Sequence, residues 1–215
     1  RARRLSRFER NLGLAAFLLG EPHPDPRPWR VEAAARARVA AALGEGPAPV
    51  ALQPGTSRGT PHKRWPAERY AALARRLHDA AGVSCIVLHG PEPGERALAE
   101  SIAAASGGAA RIAPATASLA ELAALLERAR LYVGGDTGPM HVASLVGTPV
   151  VQILGPTDPV ENAPWPETPS RSVRTPVACS PCRRGCAAAV CMQRVGVEDV
   201  AQAALALLAG PPTRC

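Results

Sequence analysis

Leu131-Tyr-Val-Gly-Gly-Asp136-Thr-Gly-Pro-Met-His141 reads as a strand that runs into a glycine turn and out into a helix. Leu131 to Val133 is a short apolar run of the kind a parallel sheet buries. Thr137 stands where a helix N-cap is wanted, and Pro139 falls near the first helical position. The helix expected from Gly138 to Val146 presents free backbone N–H groups and a positive dipole end, which suits a diphosphate. Gly138 admits close approach of the backbone to a phosphate. Asp136 sits at the strand tip, where it can accept hydrogen bonds from sugar hydroxyls. His141 lies in the first turns of the helix, on a face that can turn toward a ligand.

The same rhythm repeats on both sides of this stretch. Val50-Ala-Leu-Gln53 is a short strand before Pro54-Gly55-Thr56-Ser57. Pro66 to Ala81 is a helix closed by Gly82, and Ser84 to His89 is a buried strand ending at Gly90. Glu95 to Ser106 is a helix, Arg111-Ile112 a weak strand, and Ser118 to Ala129 a helix whose Ser118 and Glu121 form a capping box. Pro149 to Leu154 is a strand before Gly155-Pro156-Thr157-Asp158, an irregular proline-rich stretch follows, and Val197 to Leu208 is the last helix. Strand and helix alternate about five times, which specifies an α/β fold: a Rossmann-like parallel sheet with helices on both faces. The chain of 215 residues is long enough to bury such a core unaided.

In an open parallel sheet, ligands bind beyond the carboxyl ends of the strands. Four of these ends carry glycine with hydroxyl or charged residues, and together they make one consistent site. The first leads to Lys63, the single Lys among 25 basic residues; the other 24 are Arg. A compact ammonium on a glycine- and threonine-rich loop clamps a phosphate as a point charge. Thr56 and Ser57 add hydroxyls. Trp65 anchors this loop onto the helix that follows. The net charge of +7 favours an anionic partner, whereas 3% aromatic content argues against readers that stack bases or glycans.

The amino end carries basic residues up to Arg10 and an apolar run, Leu12 to Leu19, without a small-residue cleavage site. A helix over Arg3 to Leu19 is expected instead, and a cytoplasmic setting. Residues 22–28, with alternating prolines, read as an extended linker, and Val31 to Leu43 as an Ala/Arg-rich helix. A sequence starting at Arg1, not Met, suggests a fragment or a processed product.

Six blocks occur in order: Pro54-Gly55-Thr56, Lys63-Arg-Trp-Pro66, Gly90-Pro-Glu92, Ser118-Leu-Ala-Glu-Leu122, Asp136-Thr-Gly-Pro-Met-His-Val-Ala143 and Gly155-Pro-Thr-Asp158. Together they resemble glycosyltransferase family 9, the ADP-heptose:lipopolysaccharide heptosyltransferases, over residues 48–209. The resemblance implies a GT-B architecture. Residues 1–46 would be the end of an acceptor domain and the interdomain connection; residues 47–215 would be the nucleotide-sugar (donor) domain. It implies inverting, metal-independent transfer of heptose from ADP-heptose to the lipid A–core acceptor, at the inner membrane surface. The catalytic base is expected in the absent part of the acceptor domain, so this chain alone is expected to bind donor with little transfer. Lys63 and Asp136 would serve the chemistry, Lys63 stabilising the leaving ADP and Asp136 orienting the sugar. Thr56, Ser57, Glu95, Thr137, Gly138 and His141 would complete the donor site, with Glu95 at the nucleoside.

Cys179, Cys182, Cys186 and Cys191 place four thiols close together, with Pro181 and Gly185 to turn the chain. The spacing admits a structural zinc or iron–sulfur centre, disulfides, or free thiols. A similar block occurs in a subset of the family. Cys85 is expected as a small core residue and Cys215 as a free terminal thiol. Two rival functions stay open. One is another GT-B-like enzyme acting on a different nucleotide sugar, such as an epimerase. The other is a basic, zinc-stapled nucleic-acid binder, against which stand the scattering of Arg over the helices and the scarcity of aromatic residues.

Overall fold

The computed structural model of the chain describes residues 4–20, 29–92, 94–182 and 185–210. The proline-rich linker at 22–28 and Cys215 lie outside them. Helices α1 (Arg7–Leu19) and α2 (Ala33–Leu43) come first. They are followed by β1 (Val50–Gln53), α3 (Ala67–Ala81), β2 (Cys85–Val87), α4 (Glu95–Ala105) and β3 (Ala110–Ile112). The second half runs α5 (Leu119–Glu127), β4 (Leu131–Gly135), α6 (Gly138–Leu145), β5 (Val150–Ile153), β6 (Ser170–Val173), α7 (Val190–Gln193) and α8 (Val197–Leu208).

Among the described residues the strands form one six-stranded sheet in the order β3-β2-β1-β4-β5-β6, with every neighbouring pair parallel. This is the Rossmann-like sheet expected from the sequence. The order reverses between β1 and β4, so a crevice opens at their carboxyl ends. Alternation along each strand fills two cores. Val50 and Leu52 of β1, with Leu131 and Val133 of β4, pack under α3, α4 and α8. Ala51 and Tyr132 point the other way, into a core with α2, α5 and α6. Cys85 is fully buried in β2, as its mid-strand position suggested.

Three local differences have plain causes. β6 falls in the stretch expected to be irregular: it is an edge strand whose Ser170, Arg171 and Ser172 are exposed, so no apolar pattern marks it. Ser118 caps α5 by accepting from Glu121 N at 3.2 Å, but the Glu121 carboxylate accepts from Ala117 N, one residue before the position a capping box uses. The complete capping box is at α1, where Ser6 and Glu9 each bond the other's backbone N–H, which starts the helix at Arg7. α1 rests on the loop after β5: Arg7 N donates to Glu161 O at 3.0 Å, and Phe8 meets Trp165 edge-on at 5.2 Å. Among the described residues, no helix is long and apolar enough to cross a membrane.

Candidate functional site

A cleft of about 470 Å³ opens at the carboxyl ends of β1, β2 and β4, at the switch point of the sheet. Thr56, Ser57, Glu95, Thr137 and Gly138 line it, together with Leu119 and Leu122 of α5. Lys63, Asp136 and His141 form a compact cluster beside it. Lys63 Nζ donates to Asp136 Oδ2 at 2.9 Å, and His141 Nε2 stands 3.8 Å from Asp136 Oδ1, an electrostatic contact longer than a hydrogen bond.

The loop between β1 and α3 explains how an ammonium on a glycine-rich segment is held still. Lys63 ends a single 3₁₀ turn, Pro61–Lys63, with its N–H donating to Thr60 O at 3.0 Å. Arg64 turns back under it, donating from Nε to Thr56 Oγ1 and from Nη2 to Thr56 O. Thr56 Oγ1 in turn donates to Thr60 O. That hydroxyl is therefore engaged inside the loop, whereas exposed Ser57 keeps a hydroxyl at the cleft, 2.9 Å from Thr60 Oγ1. The next residue, Trp65, is 2% exposed; its Nε1 donates to Val195 O at 3.0 Å and its ring meets Tyr70 edge-on at 4.9 Å. Trp65 thus anchors the loop onto α3, and also onto the turn between α7 and α8.

The side chain of Asp136 is only 7% exposed. Burial alone would raise its carboxyl, but His141 and Lys63 outweigh that and hold it below the ordinary carboxylate range. Asp136 is thus an anion at neutral pH, with a cation fixed on one oxygen and an imidazole facing the other. Thr137 takes the N-cap position of α6 without a side-chain capping bond; its Oγ1 lies 3.3 Å from the Tyr132 hydroxyl. The first turn of α6 keeps its positive end toward the cleft.

A family model described as glycosyltransferase family 9 (heptosyltransferase) matches residues 2–191. The chain belongs to glycosyltransferase family 9. Lipopolysaccharide heptosyltransferase 3 of Escherichia coli is 32% identical over 108 residues, which are 48% of this chain and 30% of that protein. The crystal structure of a family 9 glycosyltransferase from Veillonella parvula superposes with a TM-score of 0.72 at 20% identity, over 97% of this chain and 61% of that one. E. coli heptosyltransferase WaaC with ADP gives 0.70 at 22% identity, over 96% and 58%. The chain therefore spans less than two thirds of the relatives it matches, and its GT-B-like fold is shared with them.

Within this family 9 chain, Glu95 is built into the cleft floor. Its Oε2 accepts from Gly90 N at 2.6 Å. A Cβ on Gly55 would stand 2.8 Å from Oε1, and one on Gly90 2.7 Å from Oε2. The two glycines thus make the space for one carboxylate that is bonded beyond the end of β2 and packed against the end of β1. Sequence reasoning gave no role to Arg64, although it lies in the Lys63-Arg-Trp-Pro66 block, or to Tyr70, whose hydroxyl donates to Gln53 O; both are positioning groups.

The cysteine segment packs against the loop after β5 and against His62 of the Lys63 turn. Cys182 N donates to Pro156 O at 2.7 Å. Cys191 is buried, Cys182 half-buried, and Cys179 and Cys186 exposed, all as free thiols. Burial pushes the Cys191 thiol up, and neighbouring Cys182 and Cys186 push it the same way. Among the described residues, no group of three or more His, Cys, Asp or Glu is gathered as a metal would need.

Proposed function

We propose that this chain is the donor-binding half of an inverting glycosyltransferase that moves heptose from ADP-heptose to the lipopolysaccharide inner core. The observation that carries this reading is the Lys63–Asp136 ion pair, fixed beside a switch-point cleft in a member of family 9. In this reading the nucleoside occupies the cleft near Glu95, and the diphosphate lies at Ser57, Thr137 and Gly138. The sugar projects toward Asp136 and His141. An acceptor oxygen attacks the anomeric carbon as the bond from that carbon to the ADP oxygen breaks. The acceptor's proton passes to a base in the acceptor half, and charge growing on ADP is met by Lys63 and the positive end of α6. No metal or other cofactor enters the reaction.

Residues 1–46 are then the end of the acceptor half and its connection, and residues 47–215 the donor half. The acceptor is the lipid A–core at the cytoplasmic face of the inner membrane, and the net charge of +7 suits so acidic a partner. We assign Cys179, Cys182, Cys186 and Cys191 to a structural zinc or iron–sulfur centre, on their spacing and on the push that Cys182 and Cys186 exert on the Cys191 thiol. Among the described residues no three of these thiols are gathered as a metal would need, and no step is routed through that centre. Metal analysis after anaerobic purification that finds neither zinc nor iron would remove the assignment.

Calorimetric titration of ADP into the chain tests the main reading. Binding is expected, with affinity reduced about tenfold or more in Lys63→Ala, the cost of one charge-assisted contact. A folded chain that ignores ADP, or a Lys63→Ala variant that binds it unchanged, would overturn the reading.

A further inference from the structure

A second concavity, of about 600 Å³, is lined by Lys63, whose ammonium pairs with Asp136. Its walls come from four separate segments: the start of α1, the Lys63 turn, the loop after β5, and Pro181-Cys182 of the cysteine segment. Arg4, Arg7, Arg10 and Lys63 face Asp158 and Glu161 there, four cations against two carboxylates. Arg4 pairs with Asp158. Arg7 Nε donates to Asn162 Oδ1 at 2.8 Å, and its remaining guanidinium N–H groups have no hydrogen-bond partner among the described residues. The Arg10 side chain has no hydrogen bond or ion pair among the described residues. Two forks thus point unused donors into a groove that ends at the ion pair where transfer is proposed to occur.

We infer that this arginine groove is a second ligand site, one that takes an anionic group carried on a saccharide, a phosphate or a carboxylate. The inference rests on the glycosyltransferase reading, which makes Lys63 and Asp136 the boundary between donor and acceptor. Planar guanidinium forks match such oxyanions with paired donors, which a lone ammonium does not. That reading puts the donor diphosphate in the cleft, and the cleft and the groove share no lining residue, so the groove is free for the acceptor. Asp158 restricts it: its carboxylate, held by Arg4 and by the backbone N–H groups of Val160 and Glu161, repels an anion that is not placed against Arg7 and Arg10 and has a lone pair left for a sugar hydroxyl. The groove therefore selects an acidic sugar over a bare polyanion.

Calorimetry on the ADP-saturated chain tests this with three probes: glucose 6-phosphate, glucuronate and glucose. Binding of either acidic sugar, with neutral glucose silent, is the expected result, and the phosphate and carboxylate arms tell which group the site prefers. Replacing Arg7 and Arg10 together by Ala should weaken the acidic sugars about tenfold, the cost of lost charge-assisted bonds. ADP affinity should stay unchanged. Arg10→Ala alone, at an exposed position without a side-chain partner, should retain the fold and weaken binding severalfold. Absence of acidic-sugar binding, equal binding of glucose, or competition with ADP would each overturn the inference. Failure of ADP to bind would strike the donor reading instead, and the three probes would then be read on the free chain.

Discussion

The two concavities beside the Lys63–Asp136 pair are made in opposite ways. The cleft is built by the sheet: its floor is where the ends of β1, β2 and β4 and the first turn of α6 converge, and its polar groups come largely from glycine turns and short hydroxyl side chains. The groove is built by long charged side chains on segments far apart in sequence, resting on one another through contacts such as Arg7 with Asn162 and Arg4 with Asp158. A site made by a fold's topology is stiff and general. A site made by side chains is easily altered, which suits the part of an enzyme that must tell one partner from another. What joins them is the loop from Thr56 to Trp65, since it lines the cleft at one end and carries Lys63 into the groove at the other.

The strongest way to break this division is to loosen that shared loop. Trp65→Ala removes a buried ring from the core and a hydrogen bond to Val195 O, and should cost about 3–5 kcal/mol in denaturant unfolding. Where the variant remains folded, both ADP and acidic-sugar binding should fall. Loss at one concavity only would show that the loop is not shared. Trp65→Phe keeps most of the ring and should cost far less.

A smaller effect should fall on one side alone. A Cβ on Gly155 would stand 2.4 Å from Met192 Sδ and 2.9 Å from Cys191 Sγ, both on buried side chains. Gly155→Ala should therefore cost about 1–3 kcal/mol through overpacking. It displaces the loop that carries Asp158 and Asn162, so acidic-sugar binding should weaken while ADP affinity holds within about twofold, well under a single hydrogen bond's worth. A matched loss of ADP affinity would mean that the two concavities move as one.

The same contrast decides what could be read in the sequence. β1, β2, β4 and β5 are buried on both faces, so each appears as an apolar run before a glycine turn, and the cleft followed from knowing that ligands gather at such ends. Lys63 was legible because it is the only Lys. The groove was not. Arg4, Arg7 and Arg10 looked like a basic leader to an apolar run, and nothing in their spacing says that α1 folds back onto residues 158–165. That contact depends on Ser6 and Glu9 starting the helix at Arg7, a capping signal present in the sequence and passed over. β6 was hidden for a different reason: an exposed edge strand of Ser and Arg has no core to write its pattern.

The subtlest effect concerns the pair on which both concavities abut. The Asp136 carboxyl is held below the ordinary value of 3.8 despite burial, because His141 and Lys63 favour its charged form. A depressed carboxyl stabilises the fold above the ordinary value and loses that contribution as pH falls through the folded one. Asp136→Asn keeps an acceptor for Lys63 but has no proton to take up. The melting temperature of the wild-type chain should therefore exceed that of Asp136→Asn at neutral pH by a few degrees, about what 1 kcal/mol is worth at this size. The gap should close on acidification below about pH 4. Glu121 and Asp158 are also held low and will steepen the acid limb of both proteins alike, so the difference between the two curves isolates Asp136. A gap that persists unchanged at low pH would mean that Asp136 acts by shape, and that the ion pair is not the electrostatic boundary between cleft and groove.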